Sequence, residues 1–329
     1  MDINIIFDYP FKGYGNHSAF VNHCNSLKNI GVKYKVNSLS PVELIHSHTI
    51  GPLSLISSRL FRGPYVFSCH LSNTEASYLK FSELIKKLYG ILLKRADVII
   101  TPSPFGKRLL ADIGKPVAAI SNGVDLKRFK KDKKKRASFR ERFEIEKNQL
   151  VVYCTAMMTE KKGIIDFCKT AEKFGDIAFV WSGRPFPHLR TNIKDLSKRY
   201  PQVRFAGFVK DIAEVHSGGD ILLFPSYHEL QGMPVLEATA AGNPVIVRDI
   251  EVFDWLRDEK HCLKFNGYAS ISDRLTQLIE SPKLGKRLSR NAMSIVKNHD
   301  IKKVGKKYQK IYELCNSANF EEAGEVGSY

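Results

Sequence analysis

Residues 220–247 read DILLFPSYHELQGMPVLEATAAGNPVIV, and the fold turns on how this stretch is read. DILLFP is a short continuous apolar run with the length of a strand buried on both faces, and NPVIV is another. SYHELQG between them is a loop; Pro234 suits the first helical position and Gly242 the position just past the helix end, so the pattern predicts a helix over about Pro234–Ala241. Strand, loop, helix and strand in so short a span make a βα alternation, which argues for a parallel sheet with helices on its faces.

The same alternation runs outward in both directions. Upstream, LVVYCTA, IAFVWSG and VRFAGF are further strand-like runs separated by helix-like segments. Nearer the N-terminus a first series reads NIIFDY, ELIHSH, YVFSC, DVIITPS and VAAIS, with helical stretches near 16–30, 51–61 and 76–95. The fold class is therefore α/β with two doubly wound, Rossmann-like domains. SNGVDLKRFKKDKKKRASFRERFEIEK, a turn followed by a highly charged stretch, marks the boundary, giving domains over 1–123 and 124–299. A last helix over about 300–316 is expected to pack back on the first domain, and the Gly-rich, acidic tail 318–329 is expected to be disordered.

Composition narrows the class. The 329 residues, 43% hydrophobic and 26% charged, suit a two-domain globular protein. Six scattered cysteines without a Cys-x-x-Cys spacing read as reduced thiols of a cytosolic protein. MDINIIFDYP carries no basic leader, and no segment is apolar for long enough to span a bilayer, so neither export nor a membrane span is expected. The formal net charge of +17 is unevenly spread: residues 1–147 hold 25 Lys or Arg against 12 acids, and residues 148–329 hold 26 against 22. Such one-sided basicity favours a polyanion, either nucleic acid or an anionic membrane surface. Nucleic acid is disfavoured because the basic linker lacks interleaved aromatics and no nucleic-acid module is visible.

Two places offer phosphate chemistry. In DYPFKGYGNHSAF, Gly13 and Gly15 let the backbone approach a ligand ahead of a helix N-terminus, with Ser18 nearly meeting the third small position of a dinucleotide fingerprint. The following strand-like KYKVNSL supplies no acid for a ribose, which disfavours NAD or FAD. In the opening stretch, Gly232 and Met233 would present backbone NH groups at the helix's positive end, ready for a diphosphate. Glu229 precedes that anion site and Glu237 lies one turn beyond it. Carboxylates in those places would repel a phosphate if aimed at it, so they are better suited to accepting hydrogen bonds from hydroxyls on either side. A molecule with hydroxyls on both sides of a diphosphate is a nucleotide sugar.

On these residues the chain resembles the retaining glycosyltransferases of family 4, whose two-domain fold is called GT-B. The resemblance covers nearly the whole chain. Glu229 and Glu237, separated by seven residues, match the family's paired acids; SNGVD (121–125) matches the crossing between domains, and TEKKG (159–163) the loop with a phosphate-binding lysine. The resemblance implies an active site in the cleft between the domains. It also places Glu229 by the donor sugar, Glu237 on the nucleotide ribose, Lys161 or Lys162 on the diphosphate, and Gln231, Gly232, Met233 and Pro234 around it. His70, in FSCHLS, matches a family histidine near the transferring sugar. One departure is evident: the family's Gly-Arg-Leu-like triplet reads AMM at Ala156–Met158, leaving the lysines to do more, with Arg184 of WSGRP as a candidate substitute.

The lysine loop without the arginine triplet, the QG of ELQGMP and RDIEVFDWL resemble the glycolipid-forming branch. That implies transfer of a hexose, with UDP-glucose as the expected donor, to a membrane lipid such as diacylglycerol or its monoglycosylated form, by a protein bound peripherally to the cytoplasmic face of the membrane. A polyprenol-linked or cell-surface polysaccharide acceptor is the alternative. In YLKFSELIKKLYGILLKRAD (78–97), Leu79, Leu84, Leu88 and Leu92 recur at helical spacing among lysines, which fits either a core-facing helix or one lying on an anionic bilayer. His46 and His48 alternate on one strand and share a face, which suggests a metal with Cys69 or His70, yet no carboxylate or thiolate completes the set at a recognisable spacing. With no Asp-x-Asp either, the expectation is no metal and no cofactor beyond the donor substrate. The sequence leaves the oligomeric state open.

Overall fold

The computed structural model describes residues 1–8, 15–70, 82–185 and 193–327. It divides into two compact units, Met1–Gly123 with Asn298–Tyr329, and Val124–Lys297.

The first unit is a parallel sheet of β1 (Ile3–Ile6), β2 (Lys35–Val36), β3 (Leu44–Ser47), β4 (Tyr65–Ser68), β5 (Val98–Thr101) and β6 (Val117–Ala119), in the order β2-β1-β3-β4-β5-β6. Except in β2, every residue of these strands is buried, as continuous apolar runs covered on both faces require. KYKVNSL contributes only the two exposed residues of β2 at the sheet edge. Helices α1 (Gly15–Asn29), α2 (Pro52–Leu60), α3 (Ser82–Arg95) and α4 (Pro104–Leu109) follow their strands. Asp8, just past β1, anchors α2 by accepting from the backbone NH groups of Leu53 at 2.8 Å and Ser54 at 3.1 Å. In α3 the leucine stripe divides: Leu92 is buried in the core with Phe67 and Ile99, whereas Leu84 is exposed. Leu79 lies outside the described residues.

The second unit is the parallel sheet β7 (Val151–Thr155), β8 (Ala178–Ser182), β9 (Val203–Gly207), β10 (Ile221–Phe224), β11 (Val245–Arg248) and β12 (Leu263–Phe265), ordered β12-β11-β10-β7-β8-β9. The strand order reverses between β7 and β10, and that crevice is where doubly wound sheets bind ligands. Its helices are α5 (Lys133–Arg142), α6 (Ile164–Ala171), α7 (Ile193–Arg199), α8 (Ile212–Gly218), α9 (Met233–Ala240), α10 (Ala269–Glu280) and α11 (Pro282–Val296). Helix α9 starts one residue before the expected Pro234, and Gly242 follows it in the left-handed region.

The chain then returns to the first unit as α12 (Ile301–Asn316), which packs on α1. Gly305 permits this approach, since a Cβ there would lie 2.4 Å from the Ser26 carbonyl oxygen. The expectation of a disordered tail is corrected: Phe320–Glu325 forms helix α13 against β5 and β6, with Ala323 and Gly324 buried. The Gly-rich composition serves packing here, because a Cβ on Gly324 would meet Pro116 at 2.8 Å. The charged stretch is likewise built in, as α5 packs on α8 with Phe139 fully buried.

Candidate active site

Two loops flank the crevice of the second unit. The loop after β7 carries Lys161 and Lys162 on a short 3-10 turn ending at Gly163, whose φ of +78° and close approach to the Pro225 carbonyl, 2.3 Å from a would-be Cβ, admit only glycine without strain. That approach brings the lysine loop against the end of β10, where the Lys161 carbonyl accepts from Tyr227 N at 3.0 Å. The loop after β10 carries Glu229. Lys162 Nζ lies 2.7 Å from Glu229 Oε1 and 3.2 Å from the His228 carbonyl, with both side chains of the ion pair only 12% exposed. Gln231 is buried beside it. Gly232 turns the chain into α9 with φ +74°, Met233 and Pro234 open the helix, and Val235 N donates to the Gly232 carbonyl at 2.9 Å.

Glu237, on the buried face of α9, is held by a chain whose direction is fixed. Asn243 Nδ2 donates to Tyr153 Oη at 2.9 Å; the Tyr153 hydroxyl donates to His216 Nδ1 at 2.9 Å; His216 therefore carries its proton on Nε2 and donates to Glu237 Oε2 at 3.1 Å. This leaves Oε1 for a further donor. Tyr153 remains a phenol because burial raises its pKa far above the ordinary value. Neither His216, Tyr153 nor Asn243 was recognisable in sequence; the one local signal is that Asn243 follows Gly242, just past the end of α9. Nearby, Arg248 pairs with Asp166 at 2.6 Å and covers the Tyr227 ring at 3.8 Å, while the Tyr227 hydroxyl donates to Asp166 at 2.8 Å.

The AMM triplet has no cation of its own, and Met158 is buried in the core. Backbone pairing between Met158 N and the Arg184 carbonyl at 2.9 Å sets Arg184 beside the triplet. Its guanidinium stacks on Phe208 at 4.3 Å, and its buried Nε has no hydrogen-bond partner among the described residues. A buried guanidinium donor without an acceptor is a place for an anion.

In the first unit, Gly15 opens α1 with open space around its Cα, and Gly13 lies outside the described residues. His70 follows β4, half-buried, with Nε2 3.0 Å from His48 Nδ1. Burial lowers the His70 pKa to about 4, so the ring is neutral near pH 7. His46 and His48 do share a surrounding, and the third member of the set is His23 from α1. Ring nitrogens of the three lie within 4.8 Å of one another, close enough to hold a metal ion. Each is already hydrogen-bonded within the protein. Spacing hides His23, which sits on a helix far from the strand in sequence.

Comparison with known proteins gives this geometry a family. Residues 17–128 match the model of Glycosyltransferase Family 4, and residues 148–281 that of Glycosyl transferases group 1. The chain is 28% identical over 321 residues, covering 92% of itself and 94% of the relative, to the processive diacylglycerol alpha-glucosyltransferase of Acholeplasma laidlawii. It is 26% identical over 280 residues, 76% of itself and 70% of the relative, to the alpha-monoglucosyldiacylglycerol synthase of the same organism. Among solved structures, Anabaena HepE in complex with UDP and glucose superposes with a TM-score of 0.81 at 16% identity, covering 95% of this chain and 99% of that one, a likeness of fold. Two parallel six-stranded sheets with helices on both faces are the GT-B architecture. The chain belongs to glycosyltransferase family 4 and is an enzyme of the hexosyltransferase class. Among the described residues, no helix is long and apolar enough to cross a membrane.

Proposed function

We propose that the protein transfers glucose from UDP-glucose, with retention of anomeric configuration, to a membrane lipid: diacylglycerol or its monoglucosylated form. The observation that carries the donor half is the meeting of Lys162, Glu229 and the N-terminus of α9 at the strand-order reversal between β7 and β10. Lys162, the α9 NH groups and the Nε of Arg184, unpaired among the described residues, offer positive charge where the diphosphate would sit. As the glycosidic bond breaks, charge builds on the leaving phosphate, and donors fixed in advance stabilise it without reorganising. Within the second unit Glu237 Oε1 takes a ribose hydroxyl and Glu229 serves the sugar; the family resemblance assigns His70 to the sugar and Gly15 to the acceptor. The leaving phosphate accepts the acceptor's proton on the same face, so no dedicated nucleophile is assigned. This reading calls for no metal ion or cofactor.

The acceptor half rests on the diacylglycerol-glucosylating relative that is matched along nearly its whole length. It is also supported by an apolar groove in the first unit, floored by Ile6, Ile45 and Leu53 and rimmed by Leu39, Ile56 and Leu60, which are 91%, 54% and 75% exposed. Exposed Lys33, Lys35, Arg59 and Arg62 lie in the segments around it. Apolar side chains in water beside cations suit the interface of an anionic bilayer, which makes the enzyme a peripheral one on the cytoplasmic leaflet.

The test incubates purified protein with UDP-glucose and mixed vesicles, with and without anionic lipid and diacylglycerol, following UDP release and labelled glucose in the lipid fraction. Lipid-dependent release with label in that fraction supports the reading. Release without lipid labelling refutes the lipid acceptor and leaves the polyprenol-linked acceptor to be tried; no release with any vesicle refutes the donor.

A further inference from the structure

Six side chains from four elements of the first unit form one unbroken hydrogen-bonded chain ending at His70. Ser68 Oγ on β4 is 2.8 Å from His46 Nε2 on β3, and His46 Nδ1 is 2.7 Å from Tyr312 Oη on α12. Tyr312 Oη is 2.7 Å from His23 Nε2 on α1; His23 Nδ1 is 2.7 Å from His48 Nε2, and His48 Nδ1 is 3.0 Å from His70 Nε2. Five of the six are fully or almost fully buried. The rings of His46 and His48, and of His48 and His70, stack at 4.6 and 5.3 Å between centroids, so the chain is also packed.

Counting protons fixes its direction. A neutral imidazole has one proton and one bare nitrogen, a hydroxyl one proton, and each of the five links needs one proton. If Ser68 donates to His46, each group in turn donates to the next, and the last proton stands on His70 Nδ1, on the half-buried residue. In the opposite direction the buried Ser68 hydroxyl proton has no acceptor among the described residues. If the direction changes at Tyr312, with both histidines donating to it, the buried Tyr312 proton has none. A change of direction between two histidines sets two lone pairs, or two protons, against each other. An unmatched buried donor is disfavoured, by a population ratio of about five or more. Burial also holds His23, His46 and His48 well below the ordinary histidine pKa, which keeps the rings neutral as the count requires.

We propose that Ser68, His46, Tyr312, His23 and His48 are positioning residues that hold His70 as its neutral Nδ1–H tautomer, making it a hydrogen-bond donor, and not a base, toward an oxygen of the bound sugar. The sugar contact rests on the donor reading above; the tautomer does not. A donor at this place orients the sugar and cannot take the acceptor's proton, which leaves deprotonation to the departing phosphate.

The test is long-range proton–nitrogen NMR on full-length protein labelled with 15N-histidine, metal-free at pH 7, with the His70 signals assigned by their loss in His70→Gln. His70 is expected to be protonated on Nδ1 with Nε2 bare. Free histidine prefers its Nε2–H form, so releasing the chain in Tyr312→Phe, or at its far end in the milder Ser68→Ala, should lower the Nδ1–H to Nε2–H ratio at His70 by a factor of about five or more. A wild-type His70 protonated on Nε2 or on both nitrogens would overturn the proposal. So would an unchanged His70 ratio in folded Ser68→Ala, whatever becomes of Tyr312→Phe. Titration with zinc separates the remaining reading: one equivalent bound through nitrogens of His23, His46 and His48 would show a metal centre and overturn the proton chain. Saturating UDP-glucose should move the Nδ1 proton resonance. Bound donor with no such movement refutes the sugar contact, whereas no donor binding refutes the donor reading and leaves the tautomer result standing.

Discussion

Replacing Lys162 by Met separates a working charge from a strut. The ammonium lies 2.7 Å from Glu229 Oε1 with each side chain 12% exposed, so the pair is largely withdrawn from water. A hydrogen bond between charged groups contributes about 1.5–3 kcal/mol, and removing one partner of a buried pair costs about 3–5 kcal/mol because the other is stranded. Since this pair borders an open site, the lower end applies, and Lys162→Met should lose about 3 kcal/mol in a urea titration. Its effect on turnover is read separately. A fixed cation facing the leaving phosphate contributes on the order of 10²–10³ in kcat, equivalent to about 3–4 kcal/mol of barrier. The double variant Lys162→Met with Glu229→Gln divides the two roles, because it strands no charge: stability should return to within about 1 kcal/mol of the parent, while UDP release stays at or below the level of the single variant. UDP release within threefold of the parent in either variant would refute the electrostatic role and reduce the pair to architecture.

Gly232→Ala forces a β-carbon into the left-handed region, which costs about 1–2 kcal/mol, and brings it to 2.7 Å from the Phe253 ring; a loss of about 2–4 kcal/mol in urea stability is expected, and one below 1 kcal/mol would contradict the geometry. Tyr153→Phe cuts the chain that orients Glu237, so the UDP dissociation constant measured by calorimetry should rise about tenfold, or about 1.4 kcal/mol; unchanged affinity would remove Glu237 from the ribose. Burial depresses the folded-state pKa of His70 and of His299 to about 4, below the unfolded value near 6.5. The unfolded chain therefore binds protons first, and the stability due to these groups is complete above about pH 6.5 and lost as pH falls toward 4, at up to about 1.4 kcal/mol per pH unit for each. Denaturant midpoints at pH 7 and pH 5 measure this, and equal midpoints would contradict it. Glutamates at Leu39 and Leu60 should weaken binding to anionic vesicles at least tenfold in a flotation assay while leaving lipid-free UDP binding unchanged, and undiminished flotation would move the membrane face elsewhere.

Most strands were legible because they are short apolar runs buried on both faces, a pattern that survives without any knowledge of neighbours. What escaped were features defined by a partner distant in sequence. Three-residue β12 is too short to carry a period, and of the strand-like KYKVNSL only the two residues of β2 pair in the sheet. The tail read as disordered on composition, yet its glycines are the residues that let α13 lie against β6. Glu229, Glu237 and Lys162 were legible through their spacing within local segments, whereas His216 and Tyr153, which orient Glu237, come from a different helix and a different strand. His23 and Tyr312 are the extreme case: they meet at 2.7 Å across 289 positions, and only the close crossing of α1 and α12 at Gly305 brings them together.

Charge shows the same limit of local reading. The run LKRFKKDKKKR supplies much of the excess positive charge of residues 1–147. Four of its eight cations pair with acids of the second unit, while Lys127, Lys130, Lys133 and Lys134 stay exposed. Arg128 and Lys135 pair with Asp211, and Lys131, Arg136 and the buried Arg140 converge on Asp220; just beyond, Arg142 pairs with Glu214. Arg140 also caps three backbone carbonyls between Glu146 and Gln149. These six cations fasten the start of the second unit to helix α8 and the foot of β10, and a charge already spent on a neighbouring carboxylate attracts an anionic surface only weakly. The membrane argument consequently leans less on the linker than on the first unit, where exposed Arg62 lines the apolar groove and exposed Arg59 lies on α2, whose Ile56 and Leu60 also line it. There, charge and exposed leucines occur together, as an interfacial surface requires, and neither would suffice alone.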